Sequence, residues 1–188
     1  MLSYRHSYHA GNHADVLKHI IQVEILEHLI KKDSTFDYID THAGAGLYNL
    51  QSEHATKLQE YTQGIAKLNS DEWPELATYF EILDKQNPSQ QHHFYPGSPL
   101  IATHFLRKKD RAWLYELHPK DAELLLKNTR KIRNVRVMRE DGFKGLLSLL
   151  PPVSRRGFVL IDPSYEIKTD YGKVFSVLDE AYKKFPTG

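Results

Sequence analysis

The feature that most constrains this chain is an alternation. From residue 36 onward, short apolar runs of strand length take turns with segments of helical period, and each run stops at a polar cluster. Residues 36–40, 112–117, 135–138 and 157–161 read as the strands. Helical segments are predicted at 57–69, 74–86, 98–107, 119–131, from 142 to the residues before Pro151-Pro152, and at 170–184. Strands separated by helices predict a parallel sheet covered by helices on both faces and joined by right-handed crossovers. In such sheets ligands sit at the carboxyl ends of the strands. The unusual polar clusters all fall there: Asp40-Thr41-His42, Glu116, Asp141-Gly142 and Asp162-Pro163-Ser164-Tyr165.

A helix precedes the first strand. Asn12 is placed to cap it, with Asp15 three residues on, and Val16, Leu17, Ile20, Ile21, Leu26, Leu29 and Ile30 give it an expected buried face. The polar, aromatic stretch before it, from Tyr4 to His13, reads as an arm. Ser98-Pro99 reads as an N-cap and first-turn pair, residues 92–97 as loop, and Thr169 as the cap of the last helix. The expected organisation is an arm, helix and first strand over 1–46, an inserted small helical subdomain over 47–96, and the remainder of the sheet domain over 97–188.

Composition narrows the chemistry. The chain of 188 residues has no Cys, which excludes a disulfide framework, a zinc knuckle and a thiol nucleophile. No apolar stretch is long enough to span a bilayer, and the start carries no apolar run of signal-peptide length. The expected setting is therefore cytoplasmic, with no membrane and no protein partner implied. The net charge of +1 hides a split: residues 105–139 hold eleven Lys/Arg against four Asp/Glu, whereas 47–96 hold three Lys against seven Asp/Glu. A basic band of this kind neutralises phosphates, although a set of solvated faces produces the same count.

Each strand tip has a chemical reading beside a structural one. Asp40 to Gly46 holds a Gly-x-Gly turn that lets backbone approach a ligand closely; it also serves as a plain tight turn, and it lacks the Lys-Ser/Thr of a phosphate loop. Glu116 suits ribose hydroxyls, or is a surface acid. Asp141-Gly142 suits an adenine edge, or is a turn without a ligand. At Asp162-Pro163-Ser164-Tyr165, the carboxylate and the Pro163 carbonyl can both accept from an exocyclic amine, and Tyr165 can stack on the base that bears it. In the arm, Arg5, His6 and Lys18 form a basic, aromatic strap with Tyr4, and His19 faces the sheet. His9, His13 and Asp15 could hold a metal, but the strap is the better reading, and no metal is expected.

Together these motifs resemble a class I S-adenosylmethionine-dependent methyltransferase acting on an exocyclic amine. The opening from Met1 to His19, with Asp40-Thr41-His42-Ala43-Gly44-Ala45-Gly46, Tyr95-Pro96-Gly97-Ser98-Pro99, Glu116-Leu117-His118-Pro119 and residues 151–157, resembles the RlmJ family of bacterial 23S ribosomal RNA adenine-N6 methyltransferases across nearly the whole chain. The resemblance implies a Rossmann-like fold and S-adenosylmethionine as cofactor, bound by His19, His42, Ser98, Glu116, Asp141, Gly142 and Asp162. It implies that Asp162, Pro163 and Tyr165 are catalytic, and that Tyr4, Arg5, His6 and Lys18 meet the ribosomal RNA. Family members were also described as serving the use of external DNA, so a non-catalytic nucleic-acid binding protein is the alternative. The family pattern is Asp-Pro-Pro-Tyr where this chain has Ser164, and the family places further strands after Gly188, flanking the one that ends at Asp162.

Overall fold

The computed structural model describes residues 5–89, 93–166 and 168–187. Four parallel strands form the main sheet: β1 (Asp37–Asp40), β4 (Arg111–Tyr115), β5 (Val135–Met138) and β6 (Gly157–Leu160), in the order β5-β4-β1-β6. All pairs are parallel and in simple register, with Asp40 opposite Leu114 on one side and Leu160 on the other. The carboxyl ends of all four strands therefore open on one pole. β1 is buried at every position, as expected of a central strand covered on both faces. Among the described residues β6 pairs with β1 alone and lies at the edge.

Helix α1 (His13–Ile30) starts where Asn12 caps it, its side chain accepting from the Asp15 amide at 2.9 Å. Its buried face is not the one expected. Leu17 and Ile21 are 62% and 50% exposed, whereas Asp15, Val16, His19, Gln22, Val23 and Leu26 face inward. The inward face trades apolar area for three polar side chains that serve the pole beyond it.

Between β1 and α4 (Ser98–Phe105), the chain builds a second layer. Two short strands, β2 (Leu47–Asn49) and β3 (Phe94–Pro96), pair antiparallel, so part of the expected loop at 92–97 is a strand. The helix expected at 57–69 is broken. α2 (Glu53–Leu58) ends at Gln59, which has a left-handed φ of 52°, and two 3-10 turns follow. α3 (Ala77–Gln86) follows a 3-10 turn at Pro74–Leu76 and lays Tyr79, Ile82 and Leu83 into the same core as α1 and β1.

Two expected caps also shift. Gly97, not Ser98, caps α4, and α7 (Thr169–Lys184) begins at Thr169 with Lys168 before it. α5 (Pro119–Thr129) connects β4 to β5, and α6 (Gly142–Leu149) connects β5 to β6. α6 and α7 close the second face around Ile39, Tyr115, Phe143, Leu146 and Val177. α7 leaves Tyr171, Phe175 and Tyr182 largely exposed.

Candidate functional site

A cavity of about 260 Å³ opens at the carboxyl pole of the sheet. Every residue expected to bind the cofactor lines it: His19, His42, Ser98, Glu116, Asp141, Gly142 and Asp162. They come from six separate elements and loops, and only the parallel register brings them to one rim. A wider groove, about 620 Å³, adjoins it and is lined by His6, His9, Asp15, Lys18 and residues 160–166. The two hollows share His6, Lys18, Asp162, Pro163 and Ser164. Asp162 with its two neighbours is thus a wall between them.

The floor is organised by Asp40, which is fully buried. Its Oδ2 accepts from the Tyr38 hydroxyl at 2.9 Å and the Ser98 hydroxyl at 2.7 Å, while Oδ1 accepts from the His42 amide at 3.2 Å. Burial raises its pKa, and the hydrogen bonds oppose that rise. Ser98 is therefore engaged beneath the cavity as well as lining it. Gln22 Nε2 donates to the Ser98 carbonyl at 2.9 Å and ties α1 to this floor.

The Gly-x-Gly turn has a geometric purpose. Gly44 has a φ of +61°, and a Cβ there would lie 2.1 Å from the Tyr48 hydroxyl. Its amide donates to Glu116 Oε2 at 2.8 Å, and the His118 amide donates to Oε1 at 2.7 Å. Glu116 is therefore held by backbone, and each oxygen keeps a second lone pair for a ligand hydroxyl. Burial raises its pKa, helped by Asp121 and Asp40 and opposed by the two amides. At Gly142 a Cβ would sit 1.9 Å from the Thr41 carbonyl, so only glycine lets α6 approach the tip of β1. Asp141 caps α6, its Oδ1 accepting from the Phe143 amide at 2.9 Å. An adenine-pairing role would thus fall to its other oxygen, which lies 3.4 Å from Lys173 Nζ.

The two histidines of the cavity are held neutral. Burial lowers His19 to about 3 and His42 to about 4, in both cases against the pull of nearby carboxylates. His19 Nδ1 hydrogen-bonds the Tyr95 hydroxyl at 2.7 Å, and its Nε2 is buried without a partner at the cavity. A buried ring nitrogen without a partner is costly unless a ligand meets it. A polar cofactor such as S-adenosylmethionine fits this donor set: an orphan imidazole nitrogen, a positioned carboxylate and two glycines that let backbone come close.

Sequence reasoning missed Phe143, Lys173 and Asp15. Phe143 stands edge-on to His42, centroids 4.9 Å apart, with Lys173 Nζ 4.5 Å above its ring. Phe143 has the look of an ordinary core residue of a helix, and nothing local distinguishes it. Asp15 is 2% exposed and joins His6 Nε2 at 2.7 Å to Lys18 Nζ at 2.8 Å. Its pKa is lowered because His6, His19 and Lys18 outweigh the effect of burial. Lys18 Nζ also reaches Asp162 Oδ2 at 2.6 Å, and these two carboxylates raise the pKa of the ammonium despite its burial.

Not every expected residue meets the cavity. Tyr165 lines the outer groove and has a left-handed φ of 55°. Its ring lies against Tyr171, centroids 4.6 Å apart, so the stacking face for a base is covered in this conformation. Arg5 is drawn to Asp121 by an ion pair at 2.9 Å and lines neither hollow. Tyr4 lies outside the described residues. The arm is fastened to the 47–96 segment: His9 Nδ1 and Asn12 Nδ2 donate to Glu60 at 2.9 and 3.0 Å, and Tyr8 stacks on His54.

Comparison with known proteins fits this architecture. Residues 33–188 match the family model described as ribosomal RNA large subunit methyltransferase D, RlmJ. The ribosomal RNA large subunit methyltransferase J of Escherichia coli K12 is 55% identical over all of this chain and 68% of its own length. That of Haemophilus influenzae is 49% identical with the same coverage. Among solved structures, one of a Legionella pneumophila protein superposes with a TM-score of 0.86 at 38% identity, over 95% of this chain and 67% of the other.

Proposed function

We propose that this chain, which belongs to the RlmJ family of ribosomal RNA large subunit methyltransferases, methylates the exocyclic N6 amine of an adenine in 23S ribosomal RNA with S-adenosylmethionine as donor. The observation that carries the residue-level reading is the shared wall. Asp162, Pro163 and Ser164 face both a cavity ringed by cofactor-type groups and an outer groove flanked by the basic arm. A reaction between two bound molecules needs such a partition.

His19, His42, Ser98, Glu116, Asp141 and Gly142 would hold the cofactor. When bound, it supplies an electrophilic methyl group carried on a sulfonium. The adenine reaches the outer groove once it is splayed from its stem, as enzymes acting on a base require. Its amine is a poor nucleophile because the lone pair is delocalised into the ring. The Asp162 carboxylate and the Pro163 carbonyl accept its two N–H bonds and draw the nitrogen toward tetrahedral geometry. Lys18 holds Asp162 Oδ2, which leaves Oδ1 for the amine. Positioning of this kind is worth about 7–11 kcal/mol of barrier. A strong base is unnecessary, because the nitrogen becomes acidic once alkylated. Tyr165 must leave Tyr171 to stack on the base. Arg5, His6, Lys18 and Tyr4 would border the RNA, and the cytoplasm, where ribosomal RNA is made, is the setting we assign.

The test is to incubate the protein with labelled S-adenosylmethionine and 23S RNA transcribed without modifications, then map the label. One adenine converted to N6-methyladenine is expected. Binding of RNA with no label transferred would overturn catalysis and favour a binding protein.

A further inference from the structure

We propose that the pole of the sheet opposite the candidate site is a second RNA-binding surface, engaging phosphates of the folded ribosomal RNA away from the target stem. This rests on the assignment of 23S RNA as substrate. Three loops meet at that pole: those before β1, before β4 and before β5. Lys31 and Lys32 stand on the first, Lys108 and Lys109 on the second, and Lys131 and Arg133 on the third, all exposed. Among the described residues none of the six forms an ion pair.

The loops are stitched into one platform. Asn134 Nδ2 donates to the Arg107 carbonyl at 2.9 Å and the Asp110 carbonyl at 2.7 Å, joining the second and third loops. The Arg107 guanidinium donates to the Lys32 and Ser34 carbonyls, both at 2.8 Å, joining the first. Acids at this pole are largely withdrawn from solvent. Asp110 is buried, with both oxygens accepting from Arg107 and from the Phe36 amide, and Asp37 is buried against Trp113 and Ser154. Asp33 is the exposed acid among them. A fixed, basic, weakly countered surface complements a phosphodiester backbone.

Strands of four or five residues set the two poles about 15 Å apart before their loops are added. A short stem-loop seated at the site has no need of the far pole, whereas a long folded RNA can reach both. The test is one variant carrying Lys108→Gln, Lys109→Gln, Lys131→Gln and Arg133→Gln, with Lys108→Gln/Lys109→Gln alone in reserve should the fourfold change disturb folding. Affinity is measured against salt for unmodified 23S RNA and for a short stem-loop containing the target adenine. We expect the variant to bind the long RNA at least tenfold more weakly, with a salt slope shallower by about 3, and to methylate the stem-loop as the parent does. Unchanged affinity and slope on the long RNA, or equal losses on both RNAs, would overturn the surface. Failure of the parent to methylate either RNA would refute the catalytic reading instead, and the long-RNA slope would still decide this one.

Discussion

Lys18 Nζ lies 2.6 Å from Asp162 Oδ2, an ion pair that spans 144 positions of sequence and sits where the cavity meets the outer groove. Asp15 anchors the other side of the ammonium at 2.8 Å. The side chain of Asp162 is 38% exposed, so its carboxylate is held in place by Lys18 rather than by burial.

Asp162→Ala is therefore expected to remove methyl transfer while sparing the fold. A loss of at least 10²-fold in kcat is predicted, about 2.7 kcal/mol of barrier, with a melting temperature close to that of the parent. Tritium transfer and a thermal melt read the two quantities. Full activity of the variant would end the assignment.

The pH dependence of stability follows from the two neutral histidines. Their folded pKa values, about 3 for His19 and about 4 for His42, lie below the ordinary 6.5. The unfolded chain binds more protons between those limits, so stability is full above about pH 6.5 and falls as the pH drops toward 4. Each group contributes a slope of up to about 1.4 kcal/mol per pH unit there. His19→Gln should flatten the curve of melting temperature against pH. An unchanged slope would mean that His19 titrates normally.

Ser98→Ala tests the floor. It removes the 2.7 Å hydrogen bond to a fully buried carboxylate, and a loss of about 1–3 kcal/mol is expected. Cofactor affinity, read by calorimetry, should fall with it because Ser98 also lines the cavity. Stability equal to the parent's in a denaturant titration would contradict the role given to Asp40.

Glu60→Ala tests whether the 47–96 segment fastens the arm. The variant loses acceptors for both His9 and Asn12. KM for RNA should rise several-fold with cofactor affinity unchanged, since no cofactor-type residue touches Glu60. An equal fall in both would place the effect in the fold as a whole.

Tyr165→Ala separates the two surroundings of this ring. Its contact with Tyr171 is exposed and worth little stability, so the melting temperature should stay within about 2 °C of the parent's. Turnover on RNA should fall at least tenfold if the ring stacks on the base. Undiminished turnover would leave Tyr165 as a loop residue only.

The sheet, its parallel sense and the pole that carries the site were legible from residue order. Period-two apolar runs separated by helices admit few topologies, and acids at strand ends mark the open pole. Asp40, Glu116, Asp141 and Asp162 carried that signal through their position alone. Tertiary structure decided what no local pattern encodes. Which face of α1 turns inward depends on polar partners far along the chain, so Leu17 and Ile21 went outward while His19 and Gln22 went in. The helix expected at 57–69 broke where Gln59 turned left-handed, and β2 with β3 formed only because the two segments met. Lys18 found Asp162, Phe143 found His42, and Tyr165 settled on Tyr171 rather than over the cavity. Periodicity reports which way a side chain points from its own element, but a contact between distant side chains exists only once packing has set the distance between elements.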